Sequence, residues 1–182
     1  MKGVLENFNI PLENYADDVR DIVGNCIAAY GLREWKAVVM TNEIHGHLGI
    51  YSTLGAKMGL LARERFEEMG CTGDISVESF AGSIPPVSCL NDGLQISTGA
   101  TVGHGLFRLA ASAQEPCVRA RFTCGEKTLD LALKPEYEAL IQADIRRGVA
   151  QFAHTPAYWA YVRRLAIRYW STWDRHTVFA DL

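Results

Sequence analysis

The apolar positions fall into stretches of helical and of alternating period. Between Leu12 and Tyr30, the residues Ile22, Val23, Cys26, Ile27 and Tyr30 recur at helical spacing, and Gly31 stands just past the end. Ala37 to Met40 is a short apolar run leading into Asn42, Glu43 and the pair His45-Gly46-His47. A second helical pattern starts at Ile50, with Leu54, Met58, Leu61, Ala62 and Arg65 at steps of three and four and Gly70 closing it. Gly55 and Gly59, four apart, leave this helix a smooth strip where another backbone can approach. Asp74 to Phe80 alternates, with Ile75, Val77 and Ser79 on one side, and predicts a strand. After the prolines Pro85 and Pro86, Ser88 is a plausible N-cap for a helix running from Cys89 to about Thr98. Leu106 to Ala111, Cys117 to Cys124 and Lys127 to Leu133 are three strand candidates, the last two joined by a tight turn at Gly125-Glu126. Pro135 opens a helix over Glu136 to Gly148, and a final helical segment runs from Pro156 to Trp173.

This order does not alternate strand and helix, so it predicts an α+β fold: a mixed or antiparallel sheet of about four strands packed against helices. At 182 residues the chain suits one domain, residues 1–182, with a core over about 37–148. A helix at 12–30 and an aromatic, basic helix at 156–175 extend it. The last of these places Trp159, Val162, Ala166, Tyr169 and Trp173 on one stripe. Such a stripe reads first as a docking face onto the chain's own core or a dimer mate, and otherwise as a surface for a partner or a large ligand. The long terminal helices offer more apolar stripe than a small sheet covers, which predicts a homodimer.

The net charge of -3 lacks the basic excess that sequence-independent nucleic-acid binding requires. No apolar run approaches the length of a membrane span, and residues 1–9 lack the charged-then-apolar pattern of a leader. The expectation is a soluble cytoplasmic protein with neither a nucleic-acid nor a membrane partner. The five cysteines, Cys26, Cys71, Cys89, Cys117 and Cys124, include no C-x-x-C pair, so a zinc ribbon is not expected. In a reducing compartment most of them should be small buried apolar residues.

Chemistry concentrates at His45-Gly46-His47. Read as an extended segment, it points both imidazoles the same way, and the glycine lets the backbone bend around whatever lies between them. Imidazole is the commonest metal ligand, although two neighbouring histidines are also often only solvated. Both rings precede a buried helix, whose positive end favours an anion or thiolate beside them. Cys89, at a helix start, should have a thiol of lowered pKa, usable as ligand or nucleophile, with Asp92 on the same face. The alternative is a buried cysteine beside a solvated aspartate. The glycine-rich run from Thr98 to Gly105 follows a helix and precedes a strand, the wrong order for a dinucleotide fingerprint or a P-loop. Its glycines instead end the helix and carry the backbone near the ligand cavity, which makes Thr98, Gly99, Thr101 and His104 candidates for cofactor binding. His104 reads either as a third imidazole or as an ordinary loop residue.

The H-G-H pair, the glycine-bearing helix with Gly55, Met58, Gly59, Leu60 and Ala62, and the run from Cys89 to Gly105 together resemble the FmdE family, which takes its name from formylmethanofuran dehydrogenase. The resemblance spans about His45 to Leu133. It implies a mixed sheet packed against helices, a dimer, and a bound divalent transition metal, zinc first, with nickel or iron as alternatives. Carried over by position, the metal ligands are His45, His47 and Cys89, with Asp92 a further ligand or a supporting partner. Three departures stand out. The family usually has Cys-Pro where this chain has Gly49-Ile50, often has lysine at the position of His104, and often has a zinc ribbon that this chain lacks. Loss of the thiolate either opens a coordination position or weakens the site.

Three functions are consistent with this pattern. The first is a metal-dependent enzyme or enzyme subunit acting on a small molecule or cofactor, with Cys89 and Asp92 as catalytic candidates. The second is a non-catalytic metal-binding accessory of a larger oxidoreductase. The third is a hydrolase using Cys89 as nucleophile with His45 as base. An apolar pocket beside the histidines would favour the first, and a closed four-ligand site the second.

Overall fold

The computed structural model describes residues 7–111, 116–153 and 155–182. Helices α1 (Asp17–Tyr30), α2 (Leu32–His45) and α3 (Ile50–Glu68) come first, followed by strand β1 (Ile75–Ser79) and helix α4 (Leu90–Thr98). Strands β2 (Phe107–Leu109), β3 (Arg119–Cys124) and β4 (Lys127–Leu133) lead to helices α5 (Pro135–Phe152), α6 (Pro156–Thr172) and α7 (Arg175–Val178), and β5 (Phe179–Asp181) ends the chain. The strands form one sheet in the order β2-β1-β3-β4-β5. Only the β1–β2 pair is parallel; every other pairing is antiparallel. The fold is therefore α+β with a mixed sheet, as the sequence predicts, but with five strands. The fifth strand is three residues long and directly follows a four-residue helix, so it is too short to display a period.

The alternation in the strands sorts them as expected. Ile75, Val77, Ala120, Phe122, Leu129, Leu131 and Leu133 are buried in the core. On the opposite face Arg119 forms a two-point ion pair with Asp130 at 2.6 and 2.7 Å, and its guanidinium lies 4.2 Å from the Phe80 ring.

Helix α3 is the centre of the molecule. Every residue from Ile50 to Ala62 is buried, and the helix touches α2, α4, α6, α7 and β4. Its contact with α4 is backbone to backbone. A Cβ on Gly55 would sit 2.1 Å from the carbonyl oxygen of Leu90, and one on Gly93 2.1 Å from that of Ser52. A Cβ on Gly59 would meet the Ser97 hydroxyl at 2.0 Å. The smooth strip read from Gly55 and Gly59 is thus used, with Gly93 completing it from the other side.

Four expectations change. The run Ala37 to Met40 belongs to a full helix, α2, whose inward face includes the polar residues Glu34, Thr41 and Asn42; buried polar positions erase the apolar period. The helix expected from Leu12 begins as a short 3-10 turn, Leu12–Asn14, and is α-helical only from Asp17. The aromatic stripe of α6 is buried at Ala166, Tyr169 and Trp173, as a docking face onto the chain's own core, but not at Trp159. Tyr158, Leu165, Ala166, Tyr169 and Trp170 face inward, Trp170 stacks on Trp35 at 4.3 Å, and Trp159 stays 57% exposed. Much of the surface behind the homodimer expectation is therefore used within the chain. Finally, Cys71 and Cys124, fifty-three residues apart, form a disulfide, a bond that reducing compartments disfavour. Among the described residues, no helix is long and apolar enough to cross a membrane.

A buried charge network on α3 has no signature in the sequence. Lys57, fully buried, donates to Glu34 at 2.6 Å and to the Trp173 carbonyl at 2.7 Å, and lies 4.2 Å from the Tyr30 ring. Burial lowers the Lys57 pKa, and the charge and hydrogen bond of Glu34 oppose that shift. Arg175 donates to the second Glu34 oxygen at 3.0 Å and grips Glu64 at 2.6 and 2.9 Å, which fastens α7 to α2 and α3. Glu34→Gln leaves two cations without their shared carboxylate and should cost about 3–5 kcal/mol. Lys57→Met should cost clearly less, because Glu34 keeps Arg175. Urea unfolding of both variants measures the difference, and equal losses would mean that Lys57, not Glu34, is the hub.

Candidate metal centre

The histidine pair lies at a helix end, not in an extended segment. His45 is the last residue of α2, and Gly46 caps it in the left-handed conformation, φ 84° and ψ -3°, where side chains are strained. That single reversal brings His47 back beside His45, with the ring centroids 4.3 Å apart and tilted by 41°. The sequence expectation of two neighbouring rings is met by a different backbone.

Asn42 holds the turn. Its side-chain oxygen accepts from the Gly49 N–H at 2.9 Å and from the Ser52 hydroxyl at 2.8 Å. Its amide donates to the Val38 carbonyl at 2.8 Å and to Thr53 Oγ1 at 3.2 Å. All four bonds are buried, so this one side chain ties the end of α2 to the start of α3. Sequence reading misses Asn42; the only signal for it is an amide one helical turn before His45, on a helix whose period is hidden.

Across the glycine contact, α4 delivers Asp92. Its Oδ2 lies 2.7 Å from His45 Nδ1, and because a carboxylate only accepts, the proton resides on Nδ1. His45 Nε2 is buried and, among the described residues, has no hydrogen-bond partner. A Cβ on Gly49 would lie 3.4 Å from that nitrogen, so with glycine at 49 no side chain from that position packs against it. Partial desolvation, reinforced by His45, lowers the pKa of the otherwise exposed His47.

Cys89 immediately precedes α4 at the end of a 3-10 turn, Val87–Cys89, and lines the same cleft as His45 and His47. Its thiol departs from expectation: burial first, then the charge of Asp92, raises its pKa, against a smaller opposing effect of its own backbone hydrogen bond. The helix start is outweighed by the desolvation of a half-buried sulfur. The cleft holds about 300 Å³. Its lining includes Tyr158, Trp159 and Val162 of α6 together with Pro85 and Pro86. Of these the sequence points only to Trp159 and Val162, as part of a candidate ligand or partner surface, and does not connect them with the histidines.

The glycine loop lies elsewhere. Thr98, Gly99 and His104 line a separate polar cleft with Arg63 and Asp74, at the far end of α4 from Cys89. Nine helical residues at about 1.5 Å each set the two ends roughly 13 Å apart. His104 Nδ1 is 3.1 Å from the Gly99 carbonyl, and Thr101 caps the turn by accepting from the His104 N–H. The structure therefore brings His45, His47, Cys89 and Asp92 together and leaves Thr98, Gly99, Thr101 and His104 out of that cleft. Among the described residues, no three His, Cys, Asp or Glu side chains already converge as a metal-holding group.

Residues 44–167 match the model of the family described as FmdE, molybdenum formylmethanofuran dehydrogenase operon. That is more than half of the chain and contains the whole histidine turn, α3, α4 and the sheet up to β4, so the chain belongs to the FmdE family. No curated protein matches it.

Asn42→Ala should cost about 1–3 kcal/mol, because it leaves the buried Gly49 N–H unsatisfied at the start of α3. Urea unfolding measures this, and an unchanged midpoint would mean that packing of Leu48 and Ile50, rather than Asn42, holds the turn.

Proposed function

We propose that this member of the FmdE family binds one divalent transition metal per chain through His45 Nε2, His47 and Cys89, and acts on a small molecule held in the adjoining cleft. The observation that carries this reading is His45. One ring nitrogen is fixed by Asp92, and the other is buried and, among the described residues, without a partner. Buried polar atoms are seldom left so, and a carboxylate behind an imidazole is the usual support of a metal-binding histidine. Two imidazoles and a thiol make a mixed N/S donor set that suits zinc, with nickel or iron as alternatives. To hold such an ion Cys89 or His47 would have to take a new rotamer, since no three donors converge among the described residues.

Three protein donors are the complement of a catalytic site, whereas structural zinc is closed by four. A metal held by His45, His47 and Cys89 would supply Lewis-acid chemistry toward a molecule in the cleft. The chain's own residues do the rest. Asp92 orients His45, Asn42 fixes the turn, and the aromatic wall of α6 limits water around the cleft.

The family's description supports a second reading, in which the chain serves a formylmethanofuran dehydrogenase as a metal-binding accessory protein. The hydrolase reading has least support. His45 Nε2 has no partner among the described residues, so it does not accept from the Cys89 thiol, and that thiol is harder to ionise than an ordinary one.

Protein purified without chelator should carry about one zinc-like ion per chain by elemental analysis. In competition with a chromophoric chelator, Cys89→Ser should lose at least about tenfold in affinity and Asp92→Asn about 10–100-fold. Cys26→Ser, in the core near Lys57, should change stability alone. A wild type that is metal-free and takes up neither zinc nor nickel would overturn the reading.

A further inference from the structure

The cleft beside the histidine pair also indicates the kind of molecule it takes. None of its lining residues is Lys, Arg, Asp or Glu. Every other cleft described in the molecule has a charged wall: Arg163 and Glu43 in one, Glu78 and Arg121 in a second, Arg63 and Asp74 in a third, and Arg163 in the groove next door. That neighbouring Arg163 is already held by Asp18 through two hydrogen bonds of 2.6 and 2.7 Å. A charged ligand entering the histidine cleft would give up water without gaining a counter-charge, which is costly.

Charge at the proposed metal centre points the same way. A divalent ion bound by the Cys89 thiolate, with the Asp92 carboxylate behind His45, has its two positive charges matched by two negative ones. The centre is then neutral as a unit and offers no excess charge to an ionic ligand.

Shape adds a further restriction. The cleft of about 300 Å³ is at the small end of ligand cavities, the size for one ring or a fused pair. Pro85 and Pro86 give the lining a stretch of fixed backbone. Tyr158, also in the lining, is buried and packs edge-on against Trp159 at 5.2 Å, while Trp159, which the cleft shares with the neighbouring groove, is 57% exposed. A flat ring laid on that indole would gain stacking and cover the exposed apolar area.

We infer that the cleft binds an uncharged molecule with a flat aromatic or heteroaromatic ring and one lone-pair atom, the ring against Trp159 and the lone pair toward the histidines. The preference for a neutral ring rests on the lining of the cleft; only the role of the lone-pair atom rests on the metal reading above.

The test uses three probes of similar size at pH 8: 4-phenylimidazole, biphenyl-4-carboxylate and 4-phenylbenzylamine as its ammonium ion. Each is titrated by calorimetry and tryptophan fluorescence into the full chain, once zinc-loaded and once stripped with EDTA. The uncharged probe should bind at least about tenfold more tightly than either ion in both forms, and zinc should tighten that probe alone. Trp159→Ala should weaken it about tenfold, and Val162→Lys, which puts a cation in the wall, should turn the preference toward the carboxylate. Neutral-probe binding that is the same with and without zinc would sink the metal reading and leave the ligand class standing. Equal or tighter binding of an ion, absence of binding by every probe, or indifference to Trp159→Ala would overturn the ligand class itself.

Discussion

The contact on which the rest of the structure depends is the meeting of α3 and α4 backbone on backbone. Gly55, Gly59 and Gly93 are the residues that permit it, since a methyl group at any of them would sit 2.0–2.1 Å from an atom of the other helix. A larger separation would move α4 away as a rigid piece, and with it Asp92 and Cys89, which lie at its start. The 2.7 Å contact between Asp92 and His45 tolerates little such movement. Three missing side chains in the core thus set a hydrogen bond at the site.

Helix α3 keeps two different polar systems apart. Toward its amino end, Ser52 and Thr53 join Asn42 in fixing the histidine turn. Further along, Lys57 and Glu64 meet Glu34 and Arg175 in a charged knot that secures the end of the chain. Ion pairs of this depth seldom add net stability over an apolar core, but they penalise any packing that parts them. Here the partners come from α2, α3 and α7, so the knot selects one arrangement of those helices. The α2 that it fixes is the helix that ends in His45.

These polar cores explain what can and cannot be read from the chain. The strands show clear alternation because one face is apolar and the other charged, as with Val118, Ala120 and Phe122 against Arg119 and Arg121. Helix α3 is legible because Leu54, Met58 and Leu61 recur regularly, and its glycines are legible as a contact strip. Helix α2 is not, because it buries Glu34, Thr41 and Asn42 alongside Trp35 and Val38. Without α2, the histidine pair takes the wrong backbone, although Gly46 still gives the right proximity. The Cys71–Cys124 bond joins residues brought together only by the sheet, since neither cysteine has a partner nearby in sequence. At the site, residue types point to His45, His47, Cys89 and Asp92. The walls from α6 and the two prolines, and the exclusion of the glycine loop, depend on tertiary geometry that no local pattern contains.

Position 49 holds glycine where the sequence resemblance leads to the expectation of cysteine, and the geometry there bears on the proposed metal site. A Cβ there would point at His45 Nε2 from 3.4 Å, so a cysteine side chain at that position would stand within reach of whatever the nitrogen binds. Glycine offers no donor and places no side chain against the nitrogen, which is buried all the same. It also spares Ser52, whose hydroxyl would be 2.6 Å from the same Cβ and which is needed to hold Asn42. The two alternatives, an opened coordination position and a weakened site, are therefore not symmetrical. Weakening alone would leave the remaining donors loosely held, yet His45 is oriented by Asp92, its turn is clamped by four hydrogen bonds, and the space left by the missing side chain adjoins an apolar cleft. If the proposed metal binds here, a rigid support beside a position that offers no donor would suit an open site better than a weakened one.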